Sequence, residues 1–269
     1  MFSKKIKFIF ILILLYQTPL YSKSSSFNNY NFKNLSKYFS GIVALENKDN
    51  SKALDFFNSS KILLDKHDPY LKKYVYSLVL ENKVQQAINI VKNNKDKKSS
   101  NFFDAHLLLI LDSLKRNELN KAHSHSVKTV NSFKQDKFSS AILESLKQYI
   151  YVFSKKKIPD NKKNFGKLSI ISETFQRCYL KDQNTDSYFS KLFNDLESDY
   201  SRYIFFYLSY LIENNRQDDA KKISDDIDYI NTTLLLSQGK SWIENENTED
   251  LIKVFSCSNQ NDIIGEFLF

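Results

Sequence analysis

Apolar positions along this chain come in amphipathic stretches separated by short polar turns, and one phrase marks the turns. It reads Leu45–Leu54 (LENKDNSKAL), Leu80–Ile88 (LENKVQQAI), Leu114–His123 (LKRNELNKAH), Ile212–Lys222 (IENNRQDDAKK) and Ile243–Lys253 (IENENTEDLIK). Each copy closes one apolar stripe, passes through polar residues and opens the next stripe on a small or apolar residue. Ala53, Ala87 and Ala122 are almost evenly spaced, and Ala220 lies close to three such periods beyond Ala122. A self-similar period of about 34 residues, each copy a helix–turn–helix, predicts an all-α chain built as an α-solenoid of stacked antiparallel hairpins.

Helical periodicity starts near Phe32, after a polar Ser/Asn-rich lead-in. Phe39, Ile42, Val43 and Leu45 read as one core stripe, paired with Ala53, Leu54, Phe56, Phe57, Ile62 and Leu63. Asn50 or Ser51 can cap the second helix, and Asp68-Pro69 opens the third, with proline where no amide donor is needed. Tyr74, Val75, Leu78 and Val79 pair with Val84, Ala87, Ile88 and Val91, and the stretch from Asn101 to Lys115 pairs with the stretch from Glu118 to Phe133. Further apolar-periodic stretches run over Ser139–Phe153, Phe165–Leu180 and Ser187–Leu196, giving thirteen or fourteen helices in all. Residues 158–164 (IPDNKKN) form the best internal boundary. They read as a loop between repeat blocks 34–157 and 165–269, with a linker between independent domains as the alternative.

The small residues give the pattern a family. Gly41, Ala44, Ala53, Phe57 and Ser60 stand where the tetratricopeptide repeat places its Gly, its Ala twelve residues later and the following A-x-x-x-F. The second copy keeps Leu71, Leu78 and Ala87 with Val75 for Gly, the third keeps Ala122 with Ile110 for Gly, and two later copies carry Ala220 and Gly239. Residues 34–133 and 200–258 thus resemble divergent tetratricopeptide repeats. The resemblance implies that Gly41, Ala53, Phe57, Ala87, Ala122, Ala220 and Gly239 pack the repeats. It also implies a groove lined by first helices, with Tyr38, Lys72, Tyr76, Arg202 and Phe205 facing a protein or peptide partner.

The amino terminus changes the compartment. Lys4, Lys5 and Lys7 precede an unbroken apolar run, Phe8–Tyr16, which fits a signal-peptide core and falls short of the ~20 residues that span a bilayer. Residues 1–22 are expected to be removed on export, leaving 23–33 as a flexible lead-in; an uncleaved inner-membrane anchor is the alternative. Their removal takes three lysines and no acid, so net charge falls from +8 to +5. Acids are interspersed among the lysines, so no nucleic-acid surface is expected, and Lys95–Lys98 and Lys155–Lys163 read as solvated loops. Cys178 and Cys257 lie far apart in sequence, and in a solenoid touching only its neighbours they should not meet.

Catalytic and metal chemistry finds no support. No glycine pair has phosphate-loop spacing and no G-x-S-x-G occurs. His106 could face His123 across a hairpin, read as surface polar residues rather than a metal site, and Asp218, Asp219, Asp225, Asp226 and Asp228 read as a solvated helix face. Trp242 falls on a core stripe. Six aromatics over Tyr200–Leu211 imply either a helix buried on two sides, the preferred reading, or exposed binding anchors. The last residues, Asp262–Phe269, look like a first helix cut short, which predicts that the natural protein continues or that the chain is a fragment of a longer array; if the chain ends here, Phe267, Leu268 and Phe269 are expected to be exposed, frayed or covered by a partner. The sequence reading is therefore a cofactor-free, non-enzymatic interaction scaffold of a bacterial periplasm or envelope. A substrate platform of a cell-wall enzyme, or a structural part of an envelope assembly associating through solenoid ends, are the alternatives.

Overall fold

A computed structural model of the protein describes residues 31–194, 202–228 and 232–268. The signal-peptide expectation, Tyr200 and Phe269 lie outside the described residues. Fourteen α-helices and two short 3₁₀ turns make up the described residues, with no strand among them. The helices are α1 (Phe32–Glu46), α2 (Asn50–Asn58), α3 (Asp68–Leu80), α4 (Val84–Asn93), α5 (Phe103–Lys115), α6 (Leu119–Ser132), α7 (Lys137–Lys155), α8 (Lys167–Leu180), α9 (Thr185–Phe193), α10 (Arg202–Glu213), α11 (Gln217–Asp225), α12 (Leu234–Glu244), α13 (Glu249–Val254) and α14 (Gln260–Leu268). Local chemistry starts several of them. Asn31 Oδ1 accepts from the Lys33 amide at 2.9 Å, Asp49 Oδ1 from the Lys52 amide at 3.2 Å, and Asp136 Oδ1 from the Phe138 amide at 3.1 Å.

The recurring phrase has a recurring backbone. Lys48, Asn82, Asn117, Asn215 and Glu246 all have left-handed φ, between 57° and 62°. Each stands five residues before a buried residue: Ala53, Ala87, Ala122, Ala220 and Leu251, all with no exposed surface. At four of these turns the left-handed residue's amide bonds the carbonyl three back and the next amide bonds the carbonyl five back, at 2.8–3.2 Å. That double closure satisfies the carbonyls a helix end leaves open and reverses the chain within two residues. Lys181 repeats the same bonding after α8, a sixth turn that the phrase does not mark.

The chain divides into two compact units, one ending at Glu81 and one beginning at Asn82; residues 158–164 lie within the second. In the first, α1, α2 and α3 pack together around buried Tyr38, Phe57, Tyr70, Leu71 and Tyr74. Phe57 and Tyr70 meet edge to face at 6.0 Å, and the Tyr70 hydroxyl donates to the Phe57 carbonyl.

In the second unit one apolar core runs from Ile110 to Phe267. Phe175 on α8 is its hub, its ring 5.6–6.5 Å from those of Phe189, Tyr203, Phe206 and Phe255. Helix α10, bearing the aromatic run, is buried on several sides because α9, α11, α12 and α13 all pack on it.

Here the expectation of contacts between neighbours alone is corrected. Helix α14 returns to α7 and α8, past five intervening helices. Phe267 is buried, its ring 5.0 Å from Tyr149, instead of exposed. Arg202 bonds Glu266 at 2.6 Å, and Gln260 donates to the Tyr179 hydroxyl at 3.0 Å. The return also brings Cys178 and Cys257 together in a buried disulfide with Cα atoms 5.4 Å apart, overturning the expectation that they stay separate. Pairing by chain proximity fails there because sequence separation does not bound distance once a terminal helix folds back on the core.

Candidate functional site

Helix α1 carries apolar residues on two faces. Its core face is Tyr38, Gly41 and Ala44, all buried. Small residues at 41 and 44 let α2 approach closely; a Cβ built on Gly41 would lie 2.9 Å from Phe57 Cε1. That approach fixes the helix's rotation and turns a second stripe outward. Phe32 is 71% exposed, and Phe39 and Val43 are each 58% exposed.

Phe39 and Val43 form the floor of an open groove of about 520 Å³ with Ala44 and, from α2, Phe56. Ser36, Ser40, Asn47, Asp49 and Lys52 make its polar rim. Asp49 already caps α2, so its carboxylate is held by the backbone. Ser36 and Ser40 line the groove without an imidazole beside them, and only the Asp49 carboxylate and the Lys52 ammonium are charged there. Its lining offers apolar contact with polar edges.

The partner-facing residues implied by the resemblance fall differently. Lys72 and Tyr76 are exposed on α3. Tyr38 (3% exposed) and Phe205 (fully buried) do not face outward. Tyr38 is enclosed by the rings of Phe57, His67 and Tyr70, and Phe205 packs against Gly239, Phe206 and Trp242. Arg202 is half-buried and tied to Glu266. The packing residues Gly41, Ala53, Phe57, Ala87, Ala122, Ala220 and Gly239 are all buried. Phe39, Val43 and Ile62, placed on core stripes by the sequence reading, are exposed instead. The signal that finds the first two is the spacing of Phe32, Phe39 and Val43, with polar Ser36 between the phenylalanines, on a second face beside Tyr38, Gly41 and Ala44.

In the second unit the three buried carboxylates among the described residues are all paired. Burial works to raise the Asp112 carboxyl, but hydrogen bonds from Lys92 and Arg116 outweigh it and hold it below its ordinary range. Burial likewise opposes Lys163 and Lys147 at Glu144, and Lys162 and Arg177 at Glu173, and in both cases the cations win. A carboxyl held ionised this way is a poor general acid. The lysines of Lys155–Lys163 are exposed, as the reading of a solvated loop expects, and Lys162 and Lys163 in addition tie their loop to α8 and α7.

His106 and His123 are not brought together. His123 borders a groove with Glu144, Lys147 and Tyr151, while His106 shares a pocket with His125. Among the described residues no group of three or more His, Cys, Asp or Glu is placed to hold a metal ion, and no helix is long and apolar enough to cross a membrane. Asp218, Asp219, Asp225, Asp226 and Asp228 are exposed. No protein-family model, no curated protein and no solved structure matches this chain.

Proposed function

We propose that this protein is a non-catalytic interaction scaffold of a bacterial cell envelope. In this reading it is a divergent tetratricopeptide-like α-solenoid whose α1–α2 groove seats an amphipathic helix of a partner protein. The exposed stripe Phe32, Phe39 and Val43 carries the reading. Apolar surface left on one helix face is costly unless something covers it. Phe32, Phe39 and Val43, with Ser36 at the intervening position, stand on the 3.5-residue repeat by which one helix seats another. The five equivalent left-handed turns support the repeat assignment. The Cys178–Cys257 disulfide supports export, because such bonds persist in oxidising compartments.

The test places a photo-crosslinking residue at Phe39 and, as a control, at exposed Lys121. One discrete crosslinked protein of the envelope fraction at position 39 and none at 121, lost with Val43→Asp, supports the reading. The crosslinked segment should carry apolar residues at helical spacing. Crosslinks only to a second copy or to the chain's own residues, or equal crosslinking at both positions, would overturn it.

A further inference from the structure

A second site, wholly within the second unit and independent of the proposed groove, lies between α4, α5 and α6. Its cavity of about 250 Å³ has an apolar floor of Val91, Ala105 and Leu109. Around it stand four nitrogen-bearing side chains, His106, His125, Lys95 and Lys128, with Ser100 and Thr129 beside them and Asp96 as the one carboxylate in its wall. His106 Nε2 donates to Asn101 Oδ1 at 2.9 Å, which leaves Nδ1 to take a proton. Among the described residues the His125 ring has no hydrogen-bond partner, and neither Lys95 nor Lys128 is paired with a carboxylate. Asp112, the nearby buried acid, is spent on Lys92 and Arg116.

The electrostatics agree with the geometry. Burial and then the charge of His125 push His106 below its ordinary value. Burial comes first at His125 too, followed by Lys128, Lys92, Lys95 and Lys121. An imidazole crowded by cations is short of one thing, a negative charge that relieves the repulsion.

We propose that this pocket binds a tetrahedral oxyanion, a phosphate group, between the imidazoles of His106 and His125 and the ammonium groups of Lys95 and Lys128. Four donors carried on α5, α6 and the segment after α4 surround the cavity and match an anion with acceptors on every side. Binding and protonation are linked: the anion raises both imidazole pKa values, and the pocket holds it more tightly as pH falls. Asp96 opposes the anion, and Lys92 and Lys121, further out and each paired with a carboxylate, Asp112 and Glu118, add little.

The experiment follows the ring signals of the chain's four histidines by NMR from about pH 8 to about pH 5. Sulfate is the titration probe, because it keeps its double charge across this range. The midpoints of His106 and His125 should move up by about one pH unit, equivalent to about tenfold tighter binding once a ring is protonated, while His67 and His123 stay in place. Lys95→Gln with Lys128→Gln, both exposed and outside the core, should abolish the movement and leave the helical circular-dichroism signal unchanged. Inorganic phosphate and phosphatidylglycerol vesicles then separate the sources. Saturable binding of free phosphate marks a soluble ligand, and vesicle binding competed by phosphate marks a lipid headgroup; either one supports the site. No movement at His106 and His125, equal movement of all four histidines, or movement that survives the double substitution overturns it.

Discussion

Gly41 on α1 faces the ring of Phe57 on α2 so closely that a methyl group has no room: its Cβ would lie 2.9, 3.0 and 3.2 Å from three ring atoms. The ring has nowhere to go, since Phe57 is fully buried against Tyr38 and Tyr70. Gly41→Ala gains helix propensity of about 1 kcal/mol, yet overpacking of about 1–3 kcal/mol opposes it. The variant should therefore be less stable in urea unfolding. Phe57→Leu in the same chain should relieve the clash, so the double variant should be more stable than the sum of the single costs allows. A stabilised Gly41→Ala would mean that the α1–α2 crossing is looser than described.

The turns give the opposite kind of variant, one that stabilises. Lys48 and Glu246 occupy left-handed backbone, φ 61° and 62°, where a side chain costs about 1 kcal/mol that glycine does not. Asn82, Asn117 and Asn215 hold the same conformation with the residue type that tolerates it best after glycine. Lys48→Gly and Glu246→Gly should each raise stability slightly, by up to about 0.5 kcal/mol once the greater freedom of glycine in the unfolded chain is counted. Asn117→Gly should gain less, and Lys48→Val should lose stability. Thermal melts of the four variants check the order.

The all-helical class, the five turns and the buried small residues were legible because each is a local signal at fixed spacing. Ala53, Ala87 and Ala122 repeat with their turns, and the backbone repeats with them. The rotation of α1 was not legible. Counting bulk put Phe39 and Val43 inside, but the face that α2 covers is chosen by where helices can approach, and that is Gly41 and Ala44. The closure of the second unit was hidden for a different reason. Nothing local in Cys178, Cys257 or Phe267 tells that α14 returns to α7 and α8, because such pairings are set by the whole core. The outward groove and the His106–His125 pocket are hidden in the same way. One follows from a rotation about a helix axis, the other from the placing of two histidines on adjoining helices.

Cys178 and Cys257 join α8 to the segment before α14. Cross-linking positions so far apart in the chain removes freedom from the unfolded state, an effect typically worth about 2–4 kcal/mol. Reduction, or Cys178→Ser with Cys257→Ser, should lower the melting temperature of the second unit by roughly 4–16 °C. Alkylation of the unreduced, unfolded protein should label neither cysteine, and after reduction it should label both. Two free thiols before reduction would contradict the pairing.

Stability should fall in two stages as pH is lowered. His106 and His125 titrate below their ordinary value of about 6.5 in the folded chain, first because of burial. The unfolded chain therefore binds more protons as pH falls through about 6.5, and stability drops with it. The second stage belongs to Asp112, Glu144, Glu173 and Asp182. Burial opposes ionisation at each, but paired lysines, arginines or, at Asp182, the Asn184 amide and Arg177 hold all four carboxyls below their ordinary range. Their contribution is complete above the unfolded-chain values of about 4 and is lost as pH falls through and below them. Urea midpoints measured in chloride buffers from about pH 7.5 to about pH 3.5 should thus decline first near 6 and again near 4. His106→Gln with His125→Gln should flatten the upper decline and leave the lower one. A midpoint that rises between about pH 7 and pH 5.5 would show that the two imidazoles gain, rather than lose, protons on folding.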